Sequence, residues 1–356
     1  MFNFGNLKEK DEEDYIESMV TGTIKKILKK EENNKILQNL EKNTTLLQSL
    51  IDFEKKCVKI CHIFLKENND ISIVSLREVN RFNVFLEFFF YYIINRKKQK
   101  QLKTSNKEEV FNFYYSKNDL EILYYAINLS LYICYYLRLP DKHTRKKLEE
   151  KLEELLNKEN YFNEGFLKIP LMEQNYIINN LEIPKGIAKN KNLKENLFIS
   201  FFCIINKIPL VTIGKPGRSK TLSFRILQKS MKGKSSKTLL CQDYFEIKTF
   251  RIQGSLYTKS SEIINIFEKG REYQKNNSEK LVVIFFDEMG LSEIGENNPL
   301  KVLHSELEDE KCPISFIGIS NWFIDASKMN RVIYNVVQDP DEEDIIETSN
   351  EIVQSY

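Results

Sequence analysis

A chain of 356 residues, 42% hydrophobic and 29% charged, is long enough for two or three packed units with cores of their own. Its 53 basic and 51 acidic side chains nearly cancel to a formal charge of +2, which argues against the strongly basic surface of a general nucleic-acid binder. Lysine-rich stretches at 25–30, 96–103 and 142–151 are offset by acidic ones and read as solvated helix faces.

In chain order, the first twenty residues, MFNFGNLKEKDEEDYIESMV, contain no apolar signal core, so no secretory leader is expected. Six cysteines stand at 57, 61, 134, 203, 241 and 312. Only Cys57 and Cys61, beside His62, are close together. One such pair lacks the second half of a zinc site, so neither a zinc finger nor a RING is expected. Reduced thiols and a cytoplasmic setting follow. Two apolar runs, 82–94 and 122–137, fall short of the ~20 residues of a spanning helix. Glu87 interrupts the first and Asn128 and Ser130 the second, so both are expected as buried core helices and no transmembrane segment is expected.

Residues up to about 190 read as helical. Ser75 followed by Glu78 forms a capping box that predicts a helix start at Leu76. Asn118 with Glu121 repeats the signal, and Pro140 marks the stop of the helix that follows. Residues 144–157 form a charged amphipathic helix, and no internal repeat is visible. After Pro184 the texture changes to short apolar runs alternating with amphipathic segments. Strands are predicted at 209–214, 247–252, 281–286, 314–320 and 332–337, with helices from Lys220 to about Met231 and over 262–273. Strand alternating with helix implies an α/β core, a five-stranded parallel sheet with helices on both faces.

Between the first strand and its helix lies Gly214-Lys215-Pro216-Gly217-Arg218-Ser219-Lys220-Thr221. That context suits a phosphate loop, in which backbone N–H groups and a helix amino terminus cradle anionic oxygens. Lys220 is placed to reach the β- and γ-phosphates of ATP and Thr221 to ligate Mg²⁺. Ser219 stands where the pattern has its second glycine and could crowd the loop. The alternative is an ordinary strand–turn–helix joint. Downstream, VVIFFDE puts Asp287 and Glu288 at the carboxyl end of an apolar strand, the end that faces the ligand crevice of a parallel sheet. Asp287 there can hold Mg²⁺ through its water shell, and Glu288 can orient and deprotonate an attacking water. Otherwise they are two solvated acids. Asn321, after ISFIGIS, can position that water or contact the γ-phosphate, or serve as a turn residue. Arg331 precedes the last strand, where ring ATPases place an arginine finger directed at a neighbour's γ-phosphate; the alternative is a surface arginine. His304 is given no catalytic role.

With these strings the chain resembles the mysterin family, giant AAA+ proteins that carry a RING ubiquitin-ligase module. The resemblance rests on GIAKNKNLKEN (186–196), IPLVTIGKPGRSKT, VVIFFDEMGLSE, NPLKVLHSELED and FIGISNWFIDASKMNR. FGNLKEKDEEDYIESMV, VSLREVNR and LYICYYLRLP extend it upstream over nearly the whole chain, and Ser219 is similar to the family's habit at that position. The resemblance implies that residues 1–180 are the helical lid of a preceding AAA+ module, with Arg77 of VSLREVNR in a nucleotide-sensing position. It implies that 181–340 are an AAA+ core and that 341–356 begin a truncated lid or tail. The implied function is Mg-ATP binding and hydrolysis within a multi-module motor. Neighbouring AAA+ modules or subunits would be its partners and a protein its possible substrate, with ubiquitin ligation residing in a longer parent. Two alternatives stand beside it: a non-hydrolysing nucleotide-binding scaffold, and an AAA+ nucleic-acid motor or loader, against which the balanced charge argues.

Overall fold

The computed structural model describes residues 9–30, 44–68, 75–102, 113–158, 165–295, 298–307, 314–325 and 331–355. They divide into two compact units, Met1–Tyr136 with His143–Met172, and Leu137–Lys142 with Glu173–Tyr356. Cys312 lies outside the described residues.

The first unit is helical. Its elements are α1 (Glu9–Lys30), α2 (Thr44–Asn68), α3 (Leu76–Leu102), α4 (Asp119–Cys134) and most of α5 (Lys142–Lys158); α6 (Lys168–Asn179) begins here and ends in the second unit. The capping box at Asn118 closes in both directions, and the one at Ser75 closes in its return half. Glu78 Oε2 accepts from the Ser75 backbone N–H at 2.9 Å, and α3 starts at Leu76. Asn118 Oδ1 accepts from the Glu121 N–H at 2.9 Å while Glu121 returns to the Asn118 N–H at 2.8 Å. Each box satisfies N–H groups that the first helical turn leaves without partners. α4 packs on α3, and α1 packs on α2 and α3. The run at 122–137 belongs to a longer apolar stretch, Asp119–Arg138, whose 20 residues suffice by length and composition to cross a membrane. Of that window 89% is buried within the protein, the burial expected of a core helix.

His62 is buried, with Nδ1 3.0 Å from Glu12 Oε1 and Nε2 3.1 Å from the Tyr135 hydroxyl. Lys66 donates to the other Glu12 oxygen at 2.7 Å. The hydrogen bond from His62, reinforced by Lys66, holds the Glu12 carboxyl down at about 2. Cys57, Cys61 and Cys134 are buried and not joined in disulfides, and burial pushes the Cys61 thiol up.

The second unit contains α7 (Lys191–Ile205), β1 (Leu210–Ile213), α8 (Lys220–Ser230), β2 (Glu246–Gln253), α9 (Ser260–Asn276), β3 (Lys280–Asp287), α10 (Met289–Ile294), β4 (Ser315–Ser320), β5 (Ile333–Val336) and α11 (Glu342–Ser355). All five strands are parallel in the order β2-β3-β4-β1-β5. β1, β4 and β5 are buried along their whole length. That burial explains why they read in sequence as continuous apolar runs rather than alternating ones. α8 is fixed on the sheet by the Phe224 ring stacked on Phe285 of β3, centroids 4.1 Å apart. Because β4 lies between β1 and β3, the segments that leave β1 and β3 flank the end of β4. Three stretches distant in sequence thereby meet at one edge, where the strand order switches.

Candidate functional site

The 214–221 segment leaves β1 at that edge. The Gly214 N–H donates to the Ser320 carbonyl at 3.2 Å. A Cβ at Gly214 would lie 2.9 Å from Val337 Cβ, so the close approach of the chain after β5 requires glycine there. Gly217, at φ +79°, meets the second such requirement through its backbone. Lys215, Pro216 and Gly217 are exposed, and Ser219 and Thr221 are half-buried. Ser219 adopts a left-handed conformation (φ 57°, ψ 15°) as the residue before α8. The serine therefore takes the backbone shape that the missing glycine would have supplied.

Lys220, the first residue of α8, is buried. Its ammonium donates to the Gly214 carbonyl, to the Lys215 carbonyl at 2.8 Å and to Asn321 Oδ1 at 3.1 Å. Burial lowers its pKa from the ordinary lysine value, opposed by the charges of Glu288 and Asp287. Thr221 donates from Oγ1 to Asp287 Oδ1 at 3.2 Å. Asn321 also donates from Nδ2 to Glu288 Oε2 at 2.8 Å. Lys220, Thr221, Asp287, Glu288 and Asn321, from three separate segments, are thus joined in two short hydrogen-bonded chains.

Asp339, after β5, accepts from Lys215 at 2.8 Å and from Arg218 at 3.1 Å. The hydrogen bond from Lys215 lowers the Asp339 carboxyl below its usual range, with the charge of Arg218 adding to it. Arg331 stands just before β5, its Nε donating to the His304 carbonyl at 3.2 Å. Arg77, at the second position of α3, is exposed, and its N–H donates to Ser75 Oγ at 3.3 Å.

Several structural residues of the site carry no obvious sequence motif. Glu288 is itself left-handed (φ 51°, ψ 37°). Its backbone presses on Gly254, the first residue after β2, where a Cβ would come within 2.1 Å of the Glu288 carbonyl oxygen. The Gly254 N–H donates to the Asp287 carbonyl at 2.8 Å. From α7, Asn196 Nδ2 donates to the Arg218 carbonyl at 3.1 Å, and Asn192 donates to the Gln338 carbonyl at 3.1 Å. Asn190 caps α7 through the Leu193 N–H at 3.0 Å. The only available signal was a glycine just past a strand and the repeated asparagines of 186–196.

Residues 186–344 match the family described as the RNF213 AAA domain. The chain carries an AAA domain of the RNF213 family. It is 31% identical over 300 residues to an E3 ubiquitin-protein ligase rnf213-beta of Danio rerio, covering 81% of this chain and 6% of that protein. It is 29% identical over 367 residues to the E3 ubiquitin-protein ligase RNF213 of Homo sapiens, covering 100% of this chain and 7% of that protein. The corresponding protein of Mus musculus is 29% identical over 301 residues, 82% of this chain and 6% of its own length. The chain therefore spans only 6 to 7% of these relatives, also known as mysterins. The RNF213-type AAA domain spans the sheet, α7 and the beginning of α11, and an AAA domain implies nucleotide binding.

The residues present fit a magnesium nucleotide. An ammonium held by backbone carbonyls stands at the foot of a helix. The Thr221 hydroxyl and Asp287 carboxylate are close enough to share one small cation. Among the described residues, no group of three or more His, Cys, Asp or Glu side chains could hold a metal ion by itself. A Mg²⁺ here would depend on Thr221, Asp287, water and the ligand's own phosphates.

Proposed function

We propose that this RNF213-type AAA domain binds Mg-ATP at the 214–221 loop and hydrolyses it as one module of a mysterin-like motor. The observation that carries the reading is the convergence of Lys220 and Glu288 on the two ends of one side chain, Asn321. A cation for phosphate and a base for water are thereby held at a fixed separation. Lys220 and the backbone N–H groups of the loop bind the β- and γ-phosphates. Mg²⁺, held by Thr221 and Asp287, would neutralise phosphate charge. Glu288 takes the proton of the attacking water as its oxygen bonds to the γ-phosphorus and the bond to the β-phosphate oxygen breaks, giving ADP and phosphate. Asn321 fixes the direction of that carboxylate.

Arg331 is proposed to complete the site of a neighbouring module or subunit, and the Arg completing this site to come from such a neighbour. An arginine finger is worth ~10³–10⁵ in rate in P-loop NTPases. The bare chain should then turn over slowly and gain activity as its concentration is raised. The relatives' names attach ubiquitin ligation to the longer protein, and that activity, a protein substrate, independence from nucleic acid and cytoplasmic residence are proposed for a parent of this module.

The test is titration with a fluorescent ATP analogue in the presence of Mg²⁺. Wild type should bind, and Lys220→Ala, shown to be folded by circular dichroism, should lose most of the affinity. Equal affinities in the two folded proteins would sink the assignment.

A further inference from the structure

Ser219 poses a physical problem that its own side chain does not solve. The left-handed region is costly for a residue with a Cβ and nearly free for glycine. Here a serine occupies it, and its hydroxyl makes no capping hydrogen bond to α8. Its own carbonyl accepts from the Ser223 N–H at 2.9 Å, and a second restraint acts on the preceding peptide. The carbonyl of Arg218 accepts from Asn196 Nδ2 at 3.1 Å. Asn196 is 1% exposed, and its Oδ1 accepts from Asn335 Nδ2 of β5 at 2.8 Å. Asn335 is fully buried, so two amides from α7 and β5 lock each other in the interior and present one N–H to the loop.

The chain has no cis peptide among its described residues. In a planar trans peptide the C=O and N–H point in opposite directions. Anchoring the Arg218 carbonyl toward Asn196 therefore turns the Ser219 N–H away from it. Backbone N–H groups are what a phosphate loop offers its ligand, so the direction of this peptide bears on binding.

We propose that Asn196, oriented by Asn335, is a positioning residue that sets the phosphate loop in its binding shape in place of a glycine at position 219. The proposal rests on the nucleotide reading above for its consequence, although the restraint itself lies wholly in the protein's own residues. It gives the last asparagine of GIAKNKNLKEN a role that no reading of its residue type supplied. Asn196 acts through the Arg218–Ser219 peptide and need not touch the ligand.

A double-mutant cycle between Asn196→Ala and Ser219→Gly tests it, with two readouts on the full chain. The first is affinity for the fluorescent ATP analogue. Asn196→Ala should weaken binding by about tenfold, the worth of one buried hydrogen bond. Adding Ser219→Gly should restore most of that loss, because glycine enters the left-handed region without help. The same change in the wild-type background is the reference leg of the cycle, and its own effect on affinity is subtracted. The second readout is the urea midpoint without nucleotide. Ser219→Gly should raise it in wild type, where the strain is held in place, and raise it less in Asn196→Ala, where the loop has already relaxed. Asn335→Leu, close in size, serves if Asn196→Ala does not fold, and should shift both readouts in the same direction by a smaller amount.

Additive effects in both cycles, with binding intact, would overturn the positioning role and leave the nucleotide site standing. Coupled unfolding midpoints in proteins that never bind the analogue would uphold the positioning of the loop and overturn the nucleotide reading. Additive midpoints in proteins that do not bind would overturn both.

Discussion

Asn321 Nδ2 donates to Glu288 Oε2 at 2.8 Å, and the other end of the same amide accepts from the Lys220 ammonium. Asn321 thus separates a cation from an anion that would otherwise be drawn together across a partly desolvated gap. Replacing it with alanine should let Glu288 swing toward Lys220. Phosphate release by Asn321→Ala should fall by ~10²-fold, comparable to the loss of one preorganised polar contact at a reacting centre. Affinity for the ATP analogue should change only a few-fold. Turnover equal to wild type would show that the amide is only a turn residue.

Glu288→Gln should do the reverse of Lys220→Ala. The amide is close in size and can hold the same left-handed backbone, but it cannot accept a proton from water. Nucleotide should stay bound while hydrolysis slows by ~10²–10⁴-fold. Single-turnover release of labelled phosphate separates the two steps, and an unimpaired rate would place the base elsewhere.

Gly254→Ala tests the backbone behind that carboxylate. The added methyl would lie 2.1 Å from the Glu288 carbonyl oxygen, a backbone atom that cannot rotate aside as a side chain can. Either β2 or the Asp287–Glu288 peptide must shift. We expect a loss of about 1–3 kcal/mol in stability, the usual range for overpacking. Turnover should fall at temperatures where the variant is still fully folded. A folded variant with wild-type stability and rate would show that this approach of two backbones is dispensable.

Glu54, in α2 of the helical unit, is fully buried, and among the described residues neither carboxyl oxygen has a hydrogen-bond partner. Burial raises its pKa well above the 4.5 of a free glutamate. Between the unfolded and folded values the native chain keeps a proton that the unfolded chain has released. Raising pH through that window therefore removes stability, and what Glu54 permits is greatest below the unfolded value. Glu54→Leu should stabilise the chain near neutrality by about 1–3 kcal/mol. Urea unfolding at about pH 5 and about pH 8 should show the variant's advantage growing with pH. A constant or shrinking advantage would mean that the carboxyl is solvated in the native chain.

β1, β3, β4 and β5 were legible because each is a short apolar run bounded by turn residues, whereas β2, Glu246–Gln253, mixes polar and apolar residues and is only partly buried. β3 was read at 281–286 and spans Lys280–Asp287. The helix starts at Leu76 and Lys220 were legible because their signals lie within a few residues of each other. The 214–221 loop and the Asp287–Glu288 pair were legible for the same reason. What could not be read was the set of partners that fix these groups. Gly254 meets Glu288, and Asn196 meets Arg218, only after β-strand order and helix packing have brought them together. Neither pairing leaves a periodicity in the chain. The left-handed backbone of Ser219 was equally hidden, since serine gives no local hint of it. Its possible crowding of the loop was visible in sequence, but the solution to it was not.

Trp322 follows Asn321 directly and is 37% exposed. A Cβ built on Gly290, two positions beyond Glu288, would lie 2.9 Å from its indole. It is also the chain's single tryptophan, beside 17 tyrosines. Red-edge excitation, where tyrosine does not absorb, would thus draw emission from one spot on the protein, a residue away from the amide that spans Lys220 and Glu288. Any rearrangement of that amide reaches an optical signal without a label, an added mutation or a coupled assay. The protein carries its own reporter at the place where it would have to move.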